Sequence, residues 1–247
     1  EDSVLRREIG LREKERAVFS GRDFSYIKDK IKEEKPPWDY ARLAQKLTRN
    51  SGSVLDMGTG GGELLSTLGP FPRHTIATEE YKPNVPIARA RLKQLGIKVI
   101  KASKRLPFKE GEFEVILNRH SAFDAKEVYR VLHKGGVFLT QQVSGDALQD
   151  LVSKFKEQRR FNDWTKEKAI EQLTSAGLKI EKIEAWKGKM EFNDLGTLVY
   201  YLKAIPWIIP GFSVRKHLKI LERLQDQKLA FTKSRFIIIA KKTKNRN

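Results

Sequence analysis

Apolar positions in this chain fall into short dense runs, and the charged stretches between them repeat at helical spacing. Val54, Leu55 and Met57 make one run, and residues 74–78, 97–100, 113–117 and 137–143 make four more. Runs this short, rich in Val and Ile, read as buried strands. Between them, residues 86–95 read as a helix with Pro86 in its first turn and Gly96 at its end. Residues 124–132 read as another, stopped at Gly135-Gly136. Strand alternating with helix predicts a parallel sheet joined by right-handed crossovers. Residues 146–160 and 165–176 follow as two further helices, with Gly177 as the stop. Residues 178–192 and 229–241 then read as a last, antiparallel pair of strands.

The flanks have a different texture. Residues 1–35 are charged and mostly helical in pattern, with Gly21 as a break. Pro36-Pro37 stops that region, and Trp38-Asp39-Tyr40 opens an amphipathic helix carrying Ala41, Leu43, Ala44 and Leu47. The 36 residues between the last two strands, 193–228, are long for a hairpin connection and too apolar for a free loop. They read as a helical insertion that either packs on the sheet or forms a lid. We expect the lid, with Tyr200, Tyr201, Trp207 and Phe212 as aromatic walls. The apolar stretch 195–212 is interrupted by Lys203, Pro206 and Pro210, which argues against a membrane span. No internal repeat is evident.

Composition narrows the chemistry. A chain of 247 residues holds one large α/β domain with appendages. It has no cysteine, so thiolate and disulfide chemistry are excluded, and its four scattered histidines make no metal site expected. No signal-peptide pattern is evident, and a cytoplasmic location is expected. The net charge of +18 is unusual for a small-molecule enzyme, and residues 151–247 carry 22 Lys+Arg against 10 Asp+Glu. Such a surface concentrates anionic partners such as RNA or acidic lipid, or is simply a solvated lysine-rich face. There is no arginine-rich block, and residues 243–247 read as a frayed basic tail.

The candidate chemistry begins at Asp56-Met57-Gly58-Thr59-Gly60-Gly61-Gly62. A strand passing through glycines into a helical pattern at Glu63-Leu64-Leu65 lets backbone approach a nucleotide, because glycine has no Cβ to hold a ligand off. About 20 residues on, Glu79 closes the second strand, where a carboxylate can accept two hydrogen bonds from a ribose diol. Glu80 beside it is the weaker candidate.

With the segments VLDMGTGGGELL, IATEEYKPNVPIA, LPFKEGEFEVILNRH and EVYRVLHKGGVFLTQQV in order over residues 53–143, the chain resembles the class I S-adenosylmethionine-dependent methyltransferases. The resemblance implies a Rossmann-like, seven-stranded, mostly parallel sheet with an antiparallel last strand. It implies S-adenosylmethionine as cofactor, lying across the carboxyl ends of the first strands. Asp56, Gly58, Thr59, Gly60, Gly62 and Glu79 would bind it, with Ala102, Ser103 and Asn118 alongside. Ala102 stands where the family pattern commonly has an adenine-binding Asp, so adenine would rest on backbone groups and the Ser103 hydroxyl. Asn118 and His120, ending the fourth strand, are the catalytic candidates. His120 is either a base for an acceptor that must lose a proton or a structural residue fixing its loop.

The expected organisation is an N-terminal helical cap (1–50), a methyltransferase core (51–192 and 229–242) and the lid insertion (193–228). Trp38 and Tyr40 from the cap and Tyr200, Tyr201 and Trp207 from the lid are the substrate candidates. The expected activity is methyl transfer to a small or lipid-like acceptor. Ribosomal or transfer RNA methylation is the alternative, and a non-catalytic cofactor- or RNA-binding role the second. The sequence leaves the oligomeric state open.

Overall fold

The apolar runs become strands of a single sheet. The computed structural model describes residues 10–12, 25–103, 105–157 and 160–243. Its strands are β1 (Ile31–Glu33), β2 (Ser53–Met57), β3 (His74–Glu79), β4 (Lys98–Lys101), β5 (Phe113–Arg119), β6 (Leu132–Val143), β7 (Leu178–Phe192) and β8 (Ala230–Lys242). The helices that concern us are α1 (Tyr40–Arg49), α2 (Asn84–Leu92), α3 (Ala125–Val131), α4 (Gln149–Lys154), α5 (Lys166–Ser175), α6 (Leu195–Ala204) and α7 (Val214–Gln225). Gly21, Lys104 and residues 244–247 lie outside the described residues.

Among the described residues the sheet has eight strands in the order β1-β7-β8-β6-β5-β2-β3-β4. Pairs β2–β3, β3–β4, β2–β5 and β5–β6 are parallel, and β8 runs antiparallel to β6. The eighth strand, beyond the seven expected, is β1. Its three residues pair antiparallel with Met190–Phe192, and the amide of Glu34 extends the contact to Lys189 O at 2.9 Å. From β2 the chain moves outward to β3 and β4, then returns to the other side of β2 as β5. This reversal opens a crevice at the carboxyl ends of β2 and β5, the place where open α/β sheets bind ligands.

Two expected helices are shorter than their patterns. After the glycine loop only a 3-10 turn forms, Leu65–Thr67. Pro70 and Pro72 follow within five residues and cannot continue a helix. Among the described residues of the 146–160 segment only Gln149–Lys154 is helical, and Lys156 turns into left-handed backbone at φ 54°.

The chain divides into two units. One comprises residues 37–143, 165–186 and 235–247. Its core includes Tyr40, Ala44, Val54, Leu117, Leu139 and Ile237, drawn from α1 and the central strands. The other comprises residues 1–36, 144–164 and 187–234, and contains the whole of the 193–228 insertion. Leu151, Phe155, Leu198, Ile209, Leu221 and Phe231 lie in its own core. Strands β7 and β8 run through both. No helix among the described residues is long and apolar enough to cross a membrane.

Candidate active site

The site is built on the carboxyl ends of β2, β3 and β5, all in the unit that holds residues 37–143. β2 is buried except at Asp56, and its chain leaves through Gly58 at φ 71°. A Cβ at Gly58 would lie 2.2 Å from the Ser121 hydroxyl, so this position needs glycine for both conformation and space. The amides of Gly58 and Thr59 both donate to Thr78 O at 2.9 Å, tying the loop to β3.

Glu79 ends β3 as a buried carboxylate. The amide of Gly60 donates to its Oε2 at 2.6 Å, and that of Tyr81 to its Oε1 at 2.8 Å. A carboxylate has about four acceptor positions, so each oxygen keeps capacity for a hydroxyl donor. The arrangement suits a vicinal diol. Arg91 closes the other side of the loop, bonding the Gly61 carbonyl and Glu63.

Behind the loop lie Asp56, Tyr40, Thr59 and Arg119. Burial pushes the Asp56 carboxyl from its ordinary 3.8 up to about 6, with Glu79's charge adding to the rise and the Thr59 hydroxyl and Arg119 opposing it. Burial, and then Asp56's charge, also raise the Tyr40 phenol well above its usual range. The Arg119 guanidinium sits 6.0 Å from the centre of the Tyr40 ring. The hydroxyls of Tyr40 and Thr59 are buried and make no hydrogen bond of good geometry, although Thr59 lies close enough to Asp56 to act on its charge. Buried polar atoms are rarely left unmatched. Two hydroxyls short of partners beside a carboxylate whose charge burial disfavours therefore fit a ligand that brings an ammonium and further polar atoms. With the diol position at Glu79, these residues fit S-adenosylmethionine.

The end of β5 separates its candidates. Asn118 is fully buried at 0% exposure, and its side chain is spent on the sheet. Its Nδ2 donates to Met57 O at 3.3 Å, and its Oδ1 accepts from the Thr140 hydroxyl at 2.8 Å and from Gln142 Nε2 at 2.6 Å. Asn118 thus ties β2, β5 and β6 together. His120 is exposed and takes left-handed backbone, φ 57°. Its Nε2 lies 2.8 Å from Gln141 Nε2, whose amide oxygen accepts from the Trp38 indole at 2.7 Å. Trp38, a substrate candidate from the sequence, is buried in this contact.

After β4, the Ala102 amide donates to Glu79 O at 3.3 Å, and Ser103 is exposed. The Leu106-Pro107-Phe108 turn is held by a clamp that sequence reasoning missed. Glu127 accepts from the Leu106 amide at 2.8 Å, while Arg130 donates to the carbonyls of Leu106 and Phe108 at 2.9 and 2.7 Å. Arg130 also bonds Glu127 at 2.7 Å and holds its carboxyl down to about 2. The Glu-x-x-Arg spacing within EVYRVL was the available signal, since i and i+3 share a helix face.

In the other unit, Tyr200 and Tyr201 are buried side chains of its core, and Trp207 packs partly buried against that core. Tyr201 meets Phe192 edge-on at 5.2 Å and accepts from Lys233 Nζ at 3.3 Å. Tyr200 packs 4.9 Å from Tyr26.

Residues 55–140 match the family model of a methyltransferase domain. No curated protein matches the chain in sequence. Among solved structures, a candidate methyltransferase of Bacillus halodurans C-125 is similar at 19% identity, over 83% of this chain and 99% of that one, with a TM-score of 0.63. The YcgJ protein of Bacillus subtilis is similar at 18% identity, over 83% and 99%, with a TM-score of 0.62. Geranyl diphosphate C-methyltransferase of Streptomyces coelicolor A3(2) is similar at 14%, over 82% and 78%, with a TM-score of 0.52. At these identities the likeness to solved structures is one of fold.

Proposed function

We propose that this chain, a class I S-adenosylmethionine-dependent methyltransferase, transfers its methyl group to a small or lipid-like acceptor. S-adenosylmethionine, when bound, would supply a sulfonium methyl carbon from which an acceptor displaces the thioether in line, so the protein's work is largely placement. Glu79 would accept the ribose hydroxyls. Asp56, with the hydroxyls of Tyr40 and Thr59, would hold the ammonium end and gain the partners those groups lack. Asn118 keeps β5 in register beneath the loop, and we place His120 beside the acceptor.

The observation that carries the choice of acceptor is the pairing of the basic part of the chain. Lys166, Lys179, Lys182, Lys187, Lys216 and Lys228 each face a carboxylate, namely Glu167, Glu181, Glu184, Asp146, Glu157 and Glu191. A lysine already matched in this way is less available to neutralise a phosphate, and the release of the nucleic acid's own counterions on neutralisation supplies much of RNA affinity.

Calorimetry with S-adenosylmethionine, then transfer of labelled methyl to metabolite, lipid-extract and total-RNA pools, tests the proposal. Label in the metabolite or lipid pool is expected. Label confined to RNA, with binding that falls steeply with salt at a log–log slope of about −0.7 per contact, would overturn it.

A further inference from the structure

We infer that Gln141, fixed by Trp38, is a positioning residue that holds His120 in the Nδ1–H tautomer with Nε2 occupied as an acceptor. Three groups that are unambiguous in their chemistry force this. The Trp38 indole nitrogen can only donate, so the Gln141 atom 2.7 Å away is the amide oxygen. The amide nitrogen must then be the atom that faces His120, and an amide nitrogen also only donates. His120 Nε2, 2.8 Å from it, therefore presents a lone pair. A neutral imidazole with a lone pair on Nε2 carries its proton on Nδ1.

The fold resists any other arrangement. Turning the Gln141 amide over would set its NH2 against the indole N–H, losing that bond and leaving two buried donors facing each other. Gln141 is 2% exposed, so water does not compete for either group. The backbone holds the two residues together as well. Arg119 pairs with Gln141 in the β5–β6 register, and the His120 amide donates to Gln141 O at 2.8 Å. The left-handed turn at His120 then carries the chain away while the ring stays over its partner. Histidine side chains in water favour the opposite tautomer, so the protein reverses the default.

The consequence for the reaction rests on the reading that His120 stands beside the acceptor. The ring nitrogen able to take a proton is already bound, so His120 is set to donate a hydrogen bond rather than to act as a base through Nε2. Such a residue orients an acceptor through a lone pair or negative charge. The tautomer itself does not depend on that reading.

The test is long-range 1H–15N correlation on protein labelled at histidine, at a pH where imidazole is neutral. The chain has four histidines, and His120→Asn identifies the signal. The wild-type ring is expected as Nδ1–H. Gln141→Glu offers an acceptor to both neighbours and is expected to move the proton to Nε2, while Trp38→Phe frees the amide and is expected to give a mixture. An Nε2–H ring or a free-imidazole mixture in the wild-type protein overturns the inference, and that spectrum decides even where a variant fails to fold. It needs neither cofactor nor acceptor, so failure to find a small acceptor leaves it standing. With an acceptor in hand, Gln141→Glu should lower kcat about 100-fold at unchanged cofactor affinity. Unchanged kcat in a variant whose tautomer has moved would overturn the positioning role.

Discussion

Asp56 offers the sharpest test of the cofactor site, because the same carboxyl should weaken the empty protein and strengthen the loaded one. Its rise from 3.8 to about 6 means that folding must hold a charge the interior disfavours. That difference corresponds to about 3 kcal/mol at neutral pH, and the solvent that still reaches this mostly covered side chain reduces it to about 1–2 kcal/mol. Asp56→Asn removes the charge and keeps the shape. The sign follows from linkage. Below pH 3.8 the carboxyl is protonated folded and unfolded, so it costs nothing; between 3.8 and about 6 the cost grows, and above 6 it is complete. The variant should therefore match the wild type near pH 4 and gain about 3–6 °C in melting temperature by pH 7.5. With S-adenosylmethionine the order reverses, since loss of a charge-assisted contact worth about 1.5–3 kcal/mol weakens binding at least tenfold. Wild-type affinity should likewise rise as pH climbs through 6. Scanning calorimetry across pH and titration calorimetry at pH 7.5 read both effects. A variant no more stable than the wild type at pH 7.5, or with unchanged affinity, refutes the reasoning.

Glu79→Ala should weaken S-adenosylmethionine binding by roughly tenfold or more, as two amides and the diol lose their carboxylate; unchanged affinity in calorimetry would remove Glu79 from the site. Gly58→Ala must displace Ser121 and strain a φ of 71°, so chemical denaturation should show a loss of about 2–4 kcal/mol, whereas a loss under 1 would mean the loop accommodates a side chain. Glu127→Gln breaks the clamp on Leu106 and Phe108. Because the Glu127 carboxyl is held down to about 2, the wild type's advantage of about 1–2 kcal/mol should be full above pH 4.5 and vanish as pH falls towards 2. An advantage that stays undiminished as pH falls to 2 would assign the stability to something other than this charge.

What the sequence discloses follows from distance along the chain. Asp56, Gly58 and Glu79 sit in local patterns, strand then glycine then strand end, and such patterns are set by neighbours a few residues away. Trp38 was legible only as an aromatic at a helix start, because its partner Gln141 lies 103 residues further on. Asn118 read as a ligand because it ends a strand in the crevice, but its depth depends on Thr140 and Gln142 of a different strand. The helix after the glycine loop was over-read, since its pattern continued while Pro70 cut it short. Tyr200 and Tyr201 had the composition of a lid, and only three-dimensional packing shows them as core of their unit.

The order of the strands has a further consequence for how the protein is made. β8 pairs with β6 over residues 137–143, yet a ribosome delivers it about a hundred residues later. At about 5–20 residues per second, that edge of β6 waits several seconds for its partner. Throughout that interval the nascent chain exposes Phe138, Leu139 and the open hydrogen-bonding groups of a strand edge. Synthesis is then a stage at which this protein is open to self-association, and slower translation between residues 143 and 230 should lower its soluble yield.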